Sequence, residues 1–183
     1  DMRRSDQSET INATVPGSVH TDLLAAGAID DPFYRDNEEK LMWIGESDWI
    51  YTRTFEVDKK LLESRRVLLR CDGLDTLAEI AINGVTVGTT DNMFRAYEFD
   101  LKPHLTLGTN TITVTFASAV NYVTRQMNEN ALHGDAPHKI SGGGYLRKEQ
   151  CNFGWDWGPK CVTCGIWRPL RIVGFNYARL EHI

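Results

Sequence analysis

Between Arg147 and Pro169 the chain reads RKEQCNFGWDWGPKCVTCGIWRP, and this stretch holds three of the five tryptophans, Trp155, Trp157 and Trp167. One carboxylate, Asp156, stands between two indoles. Such a set suits a sugar: its C–H faces stack on aromatic rings and its hydroxyls donate to a charged acceptor. The same indoles could instead close a β-sheet core, since buried tryptophan is ordinary. In an extended strand, Trp155 and Trp157 would share one face and Asp156 would point to the other. Two arrangements follow. Either Asp156 reaches a sugar while the indoles pack, or the indoles stack on sugar while Asp156 pairs with a cation such as Arg147 or Arg168.

Other residues with chemistry are less persuasive. Cys161 and Cys164 have the spacing of half a zinc site, with Cys151 as a third ligand and His133 or His138 as the nearest candidates for a fourth. A structural zinc site wants four ligands, and none completes the set within this stretch, so no metal is expected. A redox role for the pair needs a helix start after a strand, which Gly165-Ile166-Trp167-Arg168-Pro169 does not supply. His20 reads as a satisfied structural histidine. Arg95, among aromatics at a strand edge, could orient Asp156 or a sugar hydroxyl. Asp156 and Glu149 are the acidic residues of the stretch, and no spacing sets them face to face as a catalytic pair.

The elements that must hold these residues are mostly strands. From Trp49 to Val57 the period is two, and a further strand spans Val67–Cys71 beyond a charged linker. Leu77–Ile82 and Val85–Gly88 flank Asn83-Gly84, a dipeptide that favours a type I′ hairpin turn. Phe94–Leu101, Thr111–Phe116 and Trp167–Val173 complete the set. Short strands joined by turns predict an all-β fold, an antiparallel jelly-roll β-sandwich with one or two short helices and a long loop. One helix follows Ser18, with Val19, Leu23 and Leu24 on its apolar face and Gly27 ending it; the other spans Val120–Glu129. Asp30–Gly45 reads as an ordered loop, and Ala131–Gly144 as a long mobile one. The division expected is a polar segment at 1–14, the sandwich at 15–175 and the start of a linker at 176–183.

Composition excludes several classes. At 183 residues with 42% hydrophobic and 25% charged residues and a mean hydropathy of -0.35, the chain is ordinary for a folded domain with a real core. A net charge of -5 disfavours a nucleic-acid backbone as partner. No apolar run approaches the roughly 18 residues needed for a membrane span. Four cysteines do not decide the compartment.

Several motifs together resemble a known family. They are Val15-Pro16-Gly17-Ser18-Val19-His20-Thr21-Asp22, Asp31-Pro32-Phe33-Tyr34, Trp43-Ile44-Gly45, Asn83-Gly84, Asp91-Asn92-Met93-Phe94, Phe153-Gly154-Trp155-Asp156-Trp157-Gly158-Pro159 and Gly165-Ile166-Trp167-Arg168-Pro169. From about Val15 to Val173 the chain is similar to the N-terminal domain of β-mannosidases of glycoside hydrolase family 2. The opening strand that the family carries ahead of the first motif, with its own Trp, is not evident. The resemblance implies a galactose-binding-like, non-catalytic domain of an exo-acting retaining β-mannosidase. It further implies that Asp156 accepts hydrogen bonds from the terminal mannose, with Trp155 and Trp157 beside it in the subsite. Both catalytic glutamates would belong to a (β/α)8 barrel of the same protein, and no cofactor is implied. The alternatives are a free-standing carbohydrate-binding module, a domain whose indoles only serve an interface, or another family 2 glycosidase such as a β-galactosidase.

Overall fold

The computed structural model describes residues 1–133 and 139–180. Among these residues eight strands form two sheets: β1 (Met2–Arg4), β2 (Trp49–Val57), β3 (Arg66–Cys71), β4 (Ala78–Ile82), β5 (Val85–Thr90), β6 (Tyr97–Asp100), β7 (Gly108–Phe116) and β8 (Leu170–Phe175). One sheet has the order β1-β2-β7-β4-β5 and the other β6-β3-β8, with every pairing between these strands antiparallel.

Alternation decides which face is buried. Along β7, Asn110, Ile112, Val114 and Phe116 point inward, and the threonines between them face out. Register then brings equivalent residues together, Trp49 and Ala78 opposite Phe116, and Tyr51 and Ile80 opposite Val114. The Tyr51 and Phe116 rings meet edge to face at 5.6 Å, and truncating a buried aromatic like Phe116 costs roughly 3–5 kcal/mol. β3, the centre of the smaller sheet, buries Val67, Leu68, Leu69 and Cys71. The sheets approach so closely at Gly88 that a Cβ there would lie 2.0 Å from the Phe99 ring. No larger residue fits without displacing that ring.

The expected hairpin forms at Asn83-Gly84, with φ of 50° and 80° as a type I′ turn requires. The Asn83 side chain ties it down, donating to the His104 carbonyl at 2.9 Å and accepting from the Thr111 amide at 2.9 Å.

Some expectations need correction. An opening strand is present after all: β1 pairs with β2 and buries Met2, without a tryptophan. The smaller sheet's edge begins at Tyr97, because Phe94 sits exposed in the preceding turn. The last strand starts at Leu170, leaving Trp167 outside it. There are four α-helices among the described residues: α1 (Val19–Ala25), α2 (Asn37–Lys40), α3 (Lys59–Glu63) and α4 (Ala119–Glu129). α2 lies in the stretch expected as a loop and α3 in the charged linker. Ser18 caps α1 as its sequence suggests, but the residues it buries are Val19, His20, Asp22 and Leu23; Leu24 is exposed. Residues 134–138 of the expected long loop and 181–183 of the expected linker lie outside the described residues.

A second, smaller core matters for the site. Ala119, Val120 and Val123 of α4 pack against Leu146, Phe153 and Val162, so the helix after β7 supports the Trp-rich stretch from beneath.

Candidate sugar-facing turn

The stretch from Arg147 to Pro169 is a wound loop with two stems and a projecting tip. Its first stem carries Lys148, whose side chain is fully buried, and its second carries Thr163. Both converge on Asp75 in the connection between β3 and β4. Lys148 Nζ donates to both Asp75 oxygens at 2.6 Å and to the Thr163 carbonyl at 2.8 Å. Thr163 Oγ1 donates to Asp75 Oδ2 at 2.7 Å, and the Thr76 hydroxyl donates to Oδ1. The buried charges are thus paired and almost saturated with hydrogen bonds, the condition under which such a pair is tolerated.

Backbone contacts continue the anchorage. Asp75 and Gly165 exchange amide-to-carbonyl bonds at 2.9 and 3.0 Å. Gly165 has φ of 147°, and a Cβ there would meet the Gly17 carbonyl, the Ser18 Cα and the Tyr51 hydroxyl at 3.0 Å each. Only glycine satisfies both demands. The second stem also runs beside the start of α1, where Gly17 and Val19 donate to Ile166 and Cys164. Trp167 is half-buried, and its Nε1 donates to the Met93 carbonyl at 3.0 Å.

His20, on α1, is buried and electrostatically coupled to Lys148 and Asp75. Burial pushes its pKa down to about 4, the Lys148 charge adds to the effect and Asp75 partly offsets it. The imidazole is therefore neutral at ordinary pH. It is not satisfied as expected: among the described residues no partner reaches its Nδ1.

The tip differs from both readings offered by strand geometry. Trp155 bridges Gly158 across a tight turn with Asp156 and Trp157 at its apex. All three side chains are exposed, Trp157 by 73%. The indoles lie 6.4 Å apart and 51° from coplanar, and Lys139 Nζ sits 3.5 Å from the centre of the Trp155 ring. A turn, not a strand, brings both rings and the carboxylate to one exposed site. The Trp157 indole stands largely in solvent, the Trp155 indole is partly covered by Lys139, and neither Arg147 nor Arg168 pairs with Asp156. Arg168 lies over Trp167 and Arg95 over Tyr97. Among the described residues, no hydrogen bond or ion pair involves the Asp156 carboxylate.

Sequence reasoning missed a neighbour of the tip. Pro32, Phe33, Arg35 and Glu38 share a shallow hollow with Trp157 and Pro159, and Glu38 accepts from the Lys160 amide at 2.8 Å. The exposed Phe33 extends the aromatic surface of Trp157 across this hollow. The signal available in the sequence is an aromatic residue directly after Pro32 in a turn. The cysteines are free thiols, and desolvation raises Cys161 and, far more, Cys164 above the ordinary range. No three His, Cys, Asp or Glu side chains among the described residues could hold a metal, and His138 lies outside them.

A family model described as "Glycosyl hydrolase 2 galactose-binding domain-like" matches residues 1–168. The chain belongs to that family. Its similarity to named β-mannosidases is extensive. It is 39% identical over 189 aligned positions to β-mannosidase of Rattus norvegicus, covering 100% of this chain and 21% of the relative. It is 36% identical to β-mannosidase A of Emericella nidulans, covering 100% of this chain and 20% of that protein. The crystal structure of a β-D-mannosidase from Dictyoglomus thermophilum superposes with a TM-score of 0.93 at 37% identity, over 98% of this chain and 22% of that one. This galactose-binding-like domain therefore spans about a fifth of the length of the relatives it matches.

Proposed function

We propose that this galactose-binding-like domain is the non-catalytic N-terminal part of an exo-acting retaining β-mannosidase, and that Asp156 on its projecting turn forms one wall of the subsite for the terminal mannose. The observation that carries the reading is an exposed, unpaired carboxylate between two exposed indoles, on a chain similar over its whole length to β-mannosidases. A carboxylate accepts from sugar hydroxyls, and tilted indole faces bound the C–H surface of the ring. Hydrolysis with retention needs an acid/base and a nucleophile roughly 5 Å apart. Those two groups belong to a (β/α)8 barrel elsewhere in the full-length polypeptide. Asp156 accordingly binds and orients, and moves no proton of the reaction.

The test is Asp156→Ala in the full-length enzyme. Loss of a charged hydrogen-bond acceptor worth roughly 1.5–3 kcal/mol lowers kcat/KM on an aryl β-mannoside by about ten- to a hundred-fold. Wild-type kcat/KM would sink the assignment.

A further inference from the structure

We propose that Asp75, Lys148 and Thr163 form a clasp whose role is to position Asp156, a proposal that rests on the subsite reading above. The three residues come from separate parts of the chain: the connection between β3 and β4, the first stem and the second stem. They meet at one buried point within 2.6–3.1 Å of each other. The tip beyond them is held at its flanks. Phe153 and Val162 pack under α4, the Phe153 carbonyl accepts from the Ile140 amide, Lys139 covers the Trp155 ring and Glu38 accepts from the Lys160 amide, while Asp156 and Trp157 are exposed at the turn that the Trp155–Gly158 bridge closes. The clasp fastens the two stems to each other and to the sandwich, and with this second core it sets where the tip points.

Stability alone does not explain a charged fastening. Apolar residues of similar volume hold two stems against a core as well or better, because a buried ion pair must first overcome the desolvation of both charges. What apolar packing lacks is direction. Lys148 Nζ has its donors committed to both Asp75 oxygens and to Thr163, and Thr163 Oγ1 faces both members of the pair. A shift of either stem by an ångström breaks several short bonds at once, and a substrate-positioning group tolerates little misplacement. The rim of the second stem is equally intolerant, because Gly165 exchanges backbone bonds with Asp75 itself.

Thr163→Val in the full-length protein removes the hydroxyl while keeping shape and leaving the ion pair in place. The expected result is amide exchange across residues 150–162 faster by about ten-fold, unchanged exchange in β7, and kcat/KM on an aryl β-mannoside lower by about ten-fold. Thr163→Ser, which keeps the hydroxyl, restores both. Unchanged exchange in Thr163→Val overturns the proposal, as does wild-type kcat/KM in that variant when Asp156→Ala is impaired, or a Thr163→Ser protein no better than Thr163→Val. Faster exchange in Thr163→Val supports the clasp even in a protein where Asp156→Ala is fully active, an outcome that overturns the subsite reading alone.

Discussion

The stems and the tip of the Arg147–Pro169 loop are opposite solutions to placing charge. At the stems, Asp75 and Lys148 lie in the interior, and their polar atoms are met by a counter-charge, two threonine hydroxyls and a carbonyl. At the tip, Asp156 and two indoles stand in solvent, the carboxylate without a partner among the described residues. Buried charge resists displacement because any displacement leaves it unpaired in a medium of low dielectric. Exposed charge is available to whatever arrives. On the clasp proposal the first property serves the second: a fixed base lets an exposed turn hold its carboxylate in one place.

The contrast breaks first at Lys148. Lys148→Met strands the Asp75 carboxylate, and removing one partner of a buried pair costs roughly 3–5 kcal/mol. Combining it with Asp75→Leu removes the stranded charge and recovers part of that loss. Urea denaturation of the three proteins measures both effects; a single-variant loss under about 1 kcal/mol would mean that water reaches the pair and the interior description fails.

Acid sharpens the same comparison. His20 has a pKa lowered to about 4 against an ordinary 6.5, so the folded state binds its proton less readily than the unfolded state. Stability from the neutral imidazole is full above about pH 6.5 and is lost as pH falls toward 4, by roughly 3 kcal/mol in total. Asp22, whose carboxyl is pushed up by burial, acts in the opposite sense. The difference between wild type and His20→Gln therefore isolates the imidazole, and denaturation midpoints measured across pH 4–7 fall less steeply in the variant. Parallel curves for the two proteins would show that His20 is hydrated in the folded state.

Where sequence was legible, the physics was local. The hairpin at Asn83-Gly84 is written in two residues that accept positive φ, and β2 and β7 are written in a period of two. What stayed hidden needed long-range or three-dimensional information. Asp75 and Lys148 are 73 positions apart, and nothing in either neighbourhood names the other. β1 is a polar run whose lone apolar residue, Met2, gains meaning only when β2 lies beside it. The tip was misread for a different reason: Trp-Asp-Trp alternates like a strand, yet Gly154 before it, with φ of 112°, and Gly158 after it permit a tight turn. Residue type and resemblance single out Asp156; the turn that leaves its carboxylate exposed is not legible from them.

The smallest expected effect lies at the tip, and its smallness is informative. Trp157 is 73% exposed, and its indole lines a shallow hollow with Pro32, Phe33, Arg35, Glu38 and Pro159. An exposed side chain removed from such a surface changes stability by no more than about 0.5 kcal/mol. Trp157→Ala should therefore leave the denaturation midpoint of the isolated chain where it was. A large tryptophan that contributes nothing measurable to its own fold is held in water at a cost, and apolar surface of this kind marks a place where another surface or a ligand belongs. A midpoint lowered by 2 kcal/mol or more would instead make Trp157 a packing residue of this domain, and the tip would then be as firmly embedded as the stems.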